Sequence, residues 1–584
     1  MSLKSKIELL SPAGSLPKLK AAVAGGADAV YLGMNKFNAR EFANNFTKDY
    51  LKEAIAICKS NNVKAYLTAN TLIKNSEVQE FIDMIKFAYE NGIDAVIIQD
   101  PGFISLIKSN FPGLKIHMST QAGIMNSNHA NIFSSVERIN LARELSKKNM
   151  ESIRKNYHKE LEVFVHGALC ACVSGSCIFS SLLGGRSGNR GKCAQPCRKL
   201  YAIKKSNGIA DFSQSAFMLS TKELCLIEKL PELLKMNIDS LKIEGRMRAP
   251  FYAYTTSSVY RKAIDSFYNG KFTITPQMKE ELENAFSREF TEGKFSDKFV
   301  FNLKEASGTS KIKENIYEVK IKNFKLEKRI GTNKIPAIKP KTSSGKALIV
   351  RVYNEKDALT AEKYADIVCL DMFNKDFEKF KNVLKKPLYA VTPRIMFDSD
   401  LEEITSRIKQ ISPAGLIAGN LGILGMNFNI PIILDSNSNC FNDLQLKYYG
   451  SLGVKPIVSQ ELSLKELEEF KNKNFIVFVH GKIRLMTLAH DLSKNTLVDE
   501  KGFDFFLKPI FNGAEIINGK ELGLFNKIRP LIKSGINQIY IDTEESSTLE
   551  EILKIYSEIL NGKTPDASKI QKNYTLAWSK LGVD

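Results

Sequence analysis

The sequence predicts an α/β chain: a (β/α)8, TIM-like barrel, then a basic connector, then a second, diverged barrel-like α/β domain. Three observations carry this. Short β-branched runs alternate with longer amphipathic stretches through the first 270 residues, the alternation resumes at Ala347, and pieces of the first half recur in the second. Eight strand–helix units in about 250 residues is the count for a closed barrel. A doubly wound open sheet is the alternative, because a pattern of alternation does not count closure.

The first eight candidate strands are Ile7–Leu10, Ala29–Leu32, Lys64–Leu67, Ala95–Ile98, Lys115–Met118, Arg138–Ala142, Glu162–Val165 and Ser240–Ile243. Amphipathic stretches such as Leu16–Ala24, Tyr50–Asn61 and Val78–Asn91 separate them, and Gly punctuates the helix ends. The second eight are Leu348–Val352, Asp366–Leu370, Leu388–Val391, Gly415–Ala418, Pro431–Leu434, Pro456–Ser459, Phe475–Val479 and Gln538–Ile541. Val163-Phe-Val-His-Gly167 recurs as Val477-Phe-Val-His-Gly481, and Arg143-Glu-Leu-Ser146 is answered by Gln460-Glu-Leu-Ser463. Two occurrences in nearly constant register describe a duplicated domain, not a solenoid.

These elements divide the chain into a catalytic barrel over 1–270 with a cysteine-rich insertion at 167–238, a connector at 271–346, the repeat at 347–562 and a tail at 563–584. The connector opens with a helical stretch around Gln277–Phe286. It then runs through Tyr317–Arg329, where apolar and basic side chains alternate with period two. One Lys-lined face suits a polyanion groove; an edge strand protected by lysines is the other reading.

The formal net charge of +19 raises the expectation of a polyanionic partner, since each phosphate contact releases condensed counterions. No apolar run approaches the roughly 20 residues that span a membrane, and Met1–Lys6 lacks a signal-peptide core, so a cytoplasmic address is expected. Neither His-Glu-x-x-His nor Gly-x-Ser-x-Gly occurs, which leaves the common metal and serine hydrolase arrangements unsupported.

Five of the nine cysteines fall within Cys170–Cys197. Cys170, Cys177, Cys193 and Cys197 follow the spacing C-x6-C-x15-C-x3-C in a Gly- and Ser-rich segment that can fold its sulfurs toward one centre. Four thiolates can close a zinc site or an iron–sulfur site. Zinc sites more often use two short knuckles, and only Cys193/Cys197 is knuckle-like. Cys172 competes as a ligand, but its Cys-x-Cys relation to Cys170 is awkward for one compact centre. The copy lacks these residues and reads Lys482-Ile-Arg-Leu-Met486 after its His-Gly, so the first domain is expected to hold the chemistry.

The run HGALC…SGSC…GNRGKC…QPC, the opening Glu8–Gly33, the segment SLKIEGRMRAPFY (Ser240–Tyr252) and AFSREFTEGKF (Ala285–Phe295) together resemble the peptidase U32 family over about residues 6–300. That resemblance implies an oxygen-independent RNA hydroxylase, despite the family's older label of collagenase-like protease. It implies a 4Fe–4S cluster on the four cysteines, prephenate as co-substrate and the iron–sulfur biogenesis machinery as a partner. The implied product is 5-hydroxycytidine in 23S rRNA, with 5-hydroxyuridine at a tRNA wobble position second.

Strand C-termini make the active face of such a barrel. There His166 is the candidate proton donor, with a satisfied core histidine as the alternative. Glu244 is the candidate proton acceptor, and Arg246 the candidate carboxylate clamp, with an internal Glu–Arg salt bridge as the other reading. Gln121, Arg143, Arg186, Arg190 and Lys242 are the expected substrate contacts, and Lys192 and Arg198 are further cations of the cysteine loop.

Overall fold

Ala29–Gly33 and Ala95–Ile98 are buried at every position, the pattern of strands covered on both faces. The computed structural model describes residues 7–204, 210–296, 301, 303–304, 316–321, 328–343, 345–490, 492, 495–544, 547–577, 579–580 and 582–584. It divides into two units. One holds the described residues of Met1–Ile73, Glu77–Gly175 and Gly188–Ile335; the other holds those of Lys74–Ser76, Ser176–Ser187 and Pro336–Asp584.

In the first unit the strands are β1 (Glu8–Pro12), β2 (Ala29–Gly33), β3 (Lys64–Ala69), β4 (Ala95–Ile98), β5 (Lys115–Met118), β6 (Arg138–Asn140), β7 (Glu160–Ala168) and β8 (Ser240–Ile243). They are parallel in chain order, and β8 pairs with both β7 and β1, which closes the barrel and sets aside the open sheet. Each lies on its predicted segment. Strand β7 runs longer than expected because its end continues past the barrel, where His166–Ala168 pair antiparallel with Glu223–Cys225.

Side chains from non-adjacent strands meet inside the barrel. Glu8 on β1 accepts from Arg138 on β6 and from Tyr66 on β3 at 2.7 Å, while Lys242 on β8 reaches Glu162 on β7 at 2.8 Å. Each of these four charges, Glu8, Arg138, Glu162 and Lys242, has an opposite partner, which offsets the cost of its burial. Outside, helices bury one stripe: Lys48–Ser60 buries Leu51, Ala54, Ile55, Ile57 and Cys58, and Thr47 caps it by accepting from the Tyr50 amide.

In the second unit the parallel strands are β9 (Ala347–Arg351), β10 (Ile367–Asp371), β11 (Leu388–Val391), β12 (Gly415–Ala418), β13 (Ile432–Leu434), β14 (Lys455–Pro456), β15 (Val477–Gly481) and β16 (Gln538–Asp542). They pair in chain order, and β16 lies between β15 and β9. The sheet curls until its ends touch through a bridge between Ile457 and Ile476. Between β15 and β16 the chain makes an antiparallel meander with neighbour order Arg484–Leu488, Gly513–Asn518, Asp504–Ile510 and Thr496–Val498.

The duplication extends to fine geometry. The β7/β8 register shifts so that His166 faces Ile243, and the β15/β16 register shifts so that His480 faces Ile541. Both shifts are followed by a glycine in the left-handed region, Gly167 at φ +106° and Gly481 at φ +125°. A Cβ there would stand 2.5 Å from the Glu244 carbonyl oxygen and 1.8 Å from that of Asp542.

The connector differs from expectation. Its helix is present as Pro276–Ala285, but residues 316–321 and 328–329 form no strand, and residues 322–327 lie outside the described residues. The described part is laid along the first unit by separate contacts rather than a ladder. Tyr317 stacks on Tyr254 at 4.7 Å, Asn61 donates to the Lys320 carbonyl, and Arg329 donates to that of Ile93. Among the described residues no helix is long and apolar enough to cross a membrane.

Candidate active site

The loop after β2 meets the turn after β8 at the C-terminal mouth of the first barrel. Glu244 accepts from Arg40 at 2.9 Å and from the Tyr31 hydroxyl at 3.1 Å. Burial pushes the Glu244 pKa up, but Arg40, then Arg143, Arg246 and Lys242, outweigh it and hold the carboxyl at about 2. It is therefore a carboxylate at neutral pH. Its cation is Arg40, not Arg246.

Arg246 is 2% exposed and donates to Thr68 at 2.9 Å and to Asn38. Burial lowers its pKa to about 10, still far above neutrality. These bonds tie the loop after β2 and the turn after β8 to the end of β3, so its guanidinium holds the mouth in shape; the sequence suggests a clamp on a carboxylate. Lys242 is also internal: it is 4% exposed, pairs with Glu162 and lies over the Tyr31 ring at 4.7 Å. Its partner Glu162 lies opposite Ser240, two residues nearer the N-terminal end of the barrel, so Lys242 reaches away from the mouth.

His166 is 2% exposed, with its ring between Tyr260, Tyr252 and Phe290 at centroid distances of 5.5–6.0 Å. The Tyr260 hydroxyl donates to the Val165 carbonyl at 2.8 Å and lies 3.4 Å from His166 Nδ1. Burial, with Arg248 nearby, pushes its pKa down to about 3, so it is neutral at physiological pH. The copy repeats this cage. Tyr556 donates to Val479, stands 3.4 Å from His480 Nδ1, and burial holds that histidine at about 3. The setting is thus kept, at the same bulge, in the copy that lacks the clustered cysteines.

The cysteine loop is seated on this mouth. Gly191 backs onto the Asn38 carbonyl oxygen, where a Cβ would stand 2.1 Å away, and its own carbonyl accepts from the Glu41 amide. Cys193 lies within electrostatic reach of Arg40, the residue paired to Glu244. Arg198 donates to the Thr221 carbonyl at 2.7 Å and to that of Leu169 at 3.4 Å, drawing the chain beside Cys197 toward the chain beside Cys170. Arg190 makes a bidentate pair with Glu77 and donates to the Leu72 carbonyl, so it anchors the loop. Arg186 and Cys177 fall in Ser176–Ser187 of the second unit, with Arg186 exposed.

All nine cysteines are unbridged. Cys170, Cys177 and Cys197 are half-buried and Cys193 is exposed, whereas Cys58, Cys369 and Cys440 are buried. The Gln195 amide donates to Cys193 Sγ at 3.3 Å, the kind of bond that stabilises a thiolate. The donors thus suit a soft metal in kind. Among the described residues no group of three or more His, Cys, Asp or Glu stands at metal-holding spacing.

Gln121 lies in the turn after β5, where its carbonyl accepts from Gln99 at 3.4 Å. Arg143 follows β6, with its guanidinium 4.8 Å over the Phe164 ring. Sequence reasoning missed Arg40 and Glu144. Nothing in Asn38-Ala-Arg-Glu41 announces a partner 204 residues away, and Glu144 enters the sequence analysis only as part of the Arg143–Ser146 repeat.

The family model described as Peptidase family U32 matches residues 14–305 and 370–497, thus parts of both copies. An uncharacterised protease of Methanocaldococcus jannaschii is 39% identical over 297 residues, covering 49% of this chain and 72% of that one. The tRNA hydroxylation protein P1 of Bacillus subtilis is 36% identical over 296 residues, 49% of this chain and 70% of that one. The 23S rRNA 5-hydroxycytidine C2501 synthase of Escherichia coli K12 is 34% identical over 283 residues, 48% of this chain and 43% of that one.

Proposed function

Because the chain belongs to peptidase family U32, we propose that it hydroxylates a pyrimidine base in RNA without oxygen gas, making 5-hydroxycytidine in 23S rRNA, with a tRNA wobble uridine as the second choice. One structural observation carries this reading: the cysteine segment and the mouth carboxylate Glu244 converge on Arg40. Relatives named for tRNA hydroxylation and 5-hydroxycytidine synthesis support it. Cys170, Cys177, Cys193 and Cys197 are proposed as ligands of a 4Fe–4S cluster, on their spacing and chemistry, and prephenate as the co-substrate. Such a cluster supplies electron transfer, which zinc does not.

The protease reading rests on a family label and on one relative's name. A cysteine protease needs a low thiol pKa beside a basic imidazole. Cys225 and His166 both approach the Tyr260 hydroxyl, but burial pushes the thiol up to about 11 and the imidazole down to about 3. Both shifts run the wrong way for that chemistry.

Mass spectrometry of rRNA and tRNA from a deletion strain tests the proposal. One pyrimidine should lose the mass of a single oxygen atom. If neither RNA pool changes, the hydroxylase reading fails.

A further inference from the structure

Glu144 lies just past β6 at the mouth and is 3% exposed; no side chain hydrogen-bonds its carboxyl, which is left with only the neighbouring backbone amides of Arg143 and Glu144. The preceding residue, Arg143, lies over Phe164, and its Nε is likewise buried without a partner. The second barrel shows what completes such a position. There the corresponding Glu461 is fully buried and accepts from the Ser181 hydroxyl. Glu144 has kept the burial and lacks the donor–acceptor partner. A buried polar group in that condition costs about 1–3 kcal/mol, which a bound ligand can recover.

We propose that the adjacent side chains of Arg143 and Glu144 form a binding site for the carboxylate of a small organic acid. Arg143 supplies the positive charge and a planar fork of donors. Burial pushes the Glu144 carboxyl up to about 7 against the opposing pull of Arg143, of the Glu144 and Arg143 backbone amides and of Lys294, so near neutrality much of it is an acid that can donate. One guanidinium with one neutral acid matches a monoanionic carboxylate better than a phosphate dianion, which calls for more positive charge. This deepens the hydroxylase reading by giving its co-substrate acid a place, and it rests on that reading only for the choice of probe.

Isothermal titration of the full-length protein with prephenate tests the site, with inorganic phosphate as the control. Affinity should fall about tenfold from pH 6 to pH 8 as Glu144 loses its proton. Arg143→Gln should weaken binding at least about tenfold. Glu144→Gln keeps an amide donor, so it should bind at pH 6 and lose the pH dependence. Affinity that ignores pH and Arg143→Gln, no binding of prephenate, or tighter binding of phosphate each overturns the site. The wild-type pH series needs no variant to fold. RNA mass spectrometry judges hydroxylation independently of every one of these results.

Discussion

Arg40 donates to Glu244 across 2.9 Å, joining the loop that follows the second strand to the turn that follows the eighth. Neither residue is near the other in sequence, and each is next to something else the mouth needs: Asn38 receives Arg246, and Glu244 backs onto Gly167. The pair fixes the shape of the mouth and keeps one carboxylate charged within it.

Arg40→Ala should therefore leave the half-buried Glu244 without its ion-pair partner, with only Tyr31 and the more distant Arg143, Arg246 and Lys242 to offset its charge. The expected loss is about 2 kcal/mol, less than for a fully enclosed pair because Arg40 keeps 33% of its side chain exposed. Urea unfolding measures it. The double variant Arg40→Ala/Glu244→Gln should recover part of the loss, and a double variant no better than the single would mean the pair contributes nothing.

Gly167→Ala and Gly481→Ala should each cost about 2–4 kcal/mol, because each adds a Cβ against a backbone carbonyl at positive φ. Gly184→Ala is the control, since a Cβ there meets nothing within 4 Å. Thermal melts that rank all three alike would contradict the account of the bulges.

Acid should weaken the protein partly through its histidines. Burial holds His129, His166 and His480 at about 3 and, with Arg138 nearby, also lowers His117 well below its ordinary value, against about 6.5 in the unfolded chain. A lowered pKa means the stabilisation is present above pH 6.5 and drains away as pH falls toward the folded value. His166→Gln should remove about 1–2 kcal/mol of the stability lost between pH 7 and 5. An unchanged pH slope in that variant would assign the loss to other groups.

Cys→Ala changes at 170, 177, 193 or 197 should each strip iron and sulfide from anaerobically purified protein, whereas Cys58→Ala and Cys440→Ala should not. Wild-type iron in a Cys170→Ala protein would sink the cluster assignment.

RNA affinity should fall steeply with salt, given the net charge of +19. Glu substitutions at Lys320, Lys322 and Lys325 should lower the slope of log affinity against log salt by roughly 2–3. Filter binding between low and moderate salt reads it, and a flat dependence would exclude RNA as the partner.

The sixteen parallel strands were legible because burial on both faces writes them as short β-branched runs, and Gly marks the helix ends between them. The mouth was legible only as a set of positions. Sequence names Glu244 and Arg246 as neighbours but not that Arg246 turns to Asn38 and Thr68, since that depends on where the loop after β2 arrives and on the closure that brings the end of β3 beneath the turn after β8. Over its described residues, 317–321 and 328–329, the Tyr317–Arg329 alternation makes no strand, because lysines alternating with apolar residues suit a laid-down segment as well as a ladder. Here Tyr254 and Asn61 offered it separate contacts and no ladder.

The seventh strand of each sheet contains the same five residues, Val-Phe-Val-His-Gly, and each pairs with its eighth strand through the same shifted register. During refolding from denaturant, either copy can dock beside the other's eighth strand with ladder and bulge both satisfied. Such a mispaired chain must unpair before it can proceed, so refolding should show a slow phase independent of protein concentration. Synthesis from the N-terminus avoids the exchange, because the first barrel can close before the second copy of the strand exists. A single fast phase in dilute refolding would mean that residues outside the shared five, such as Glu162 against Ile476, already tell the two apart.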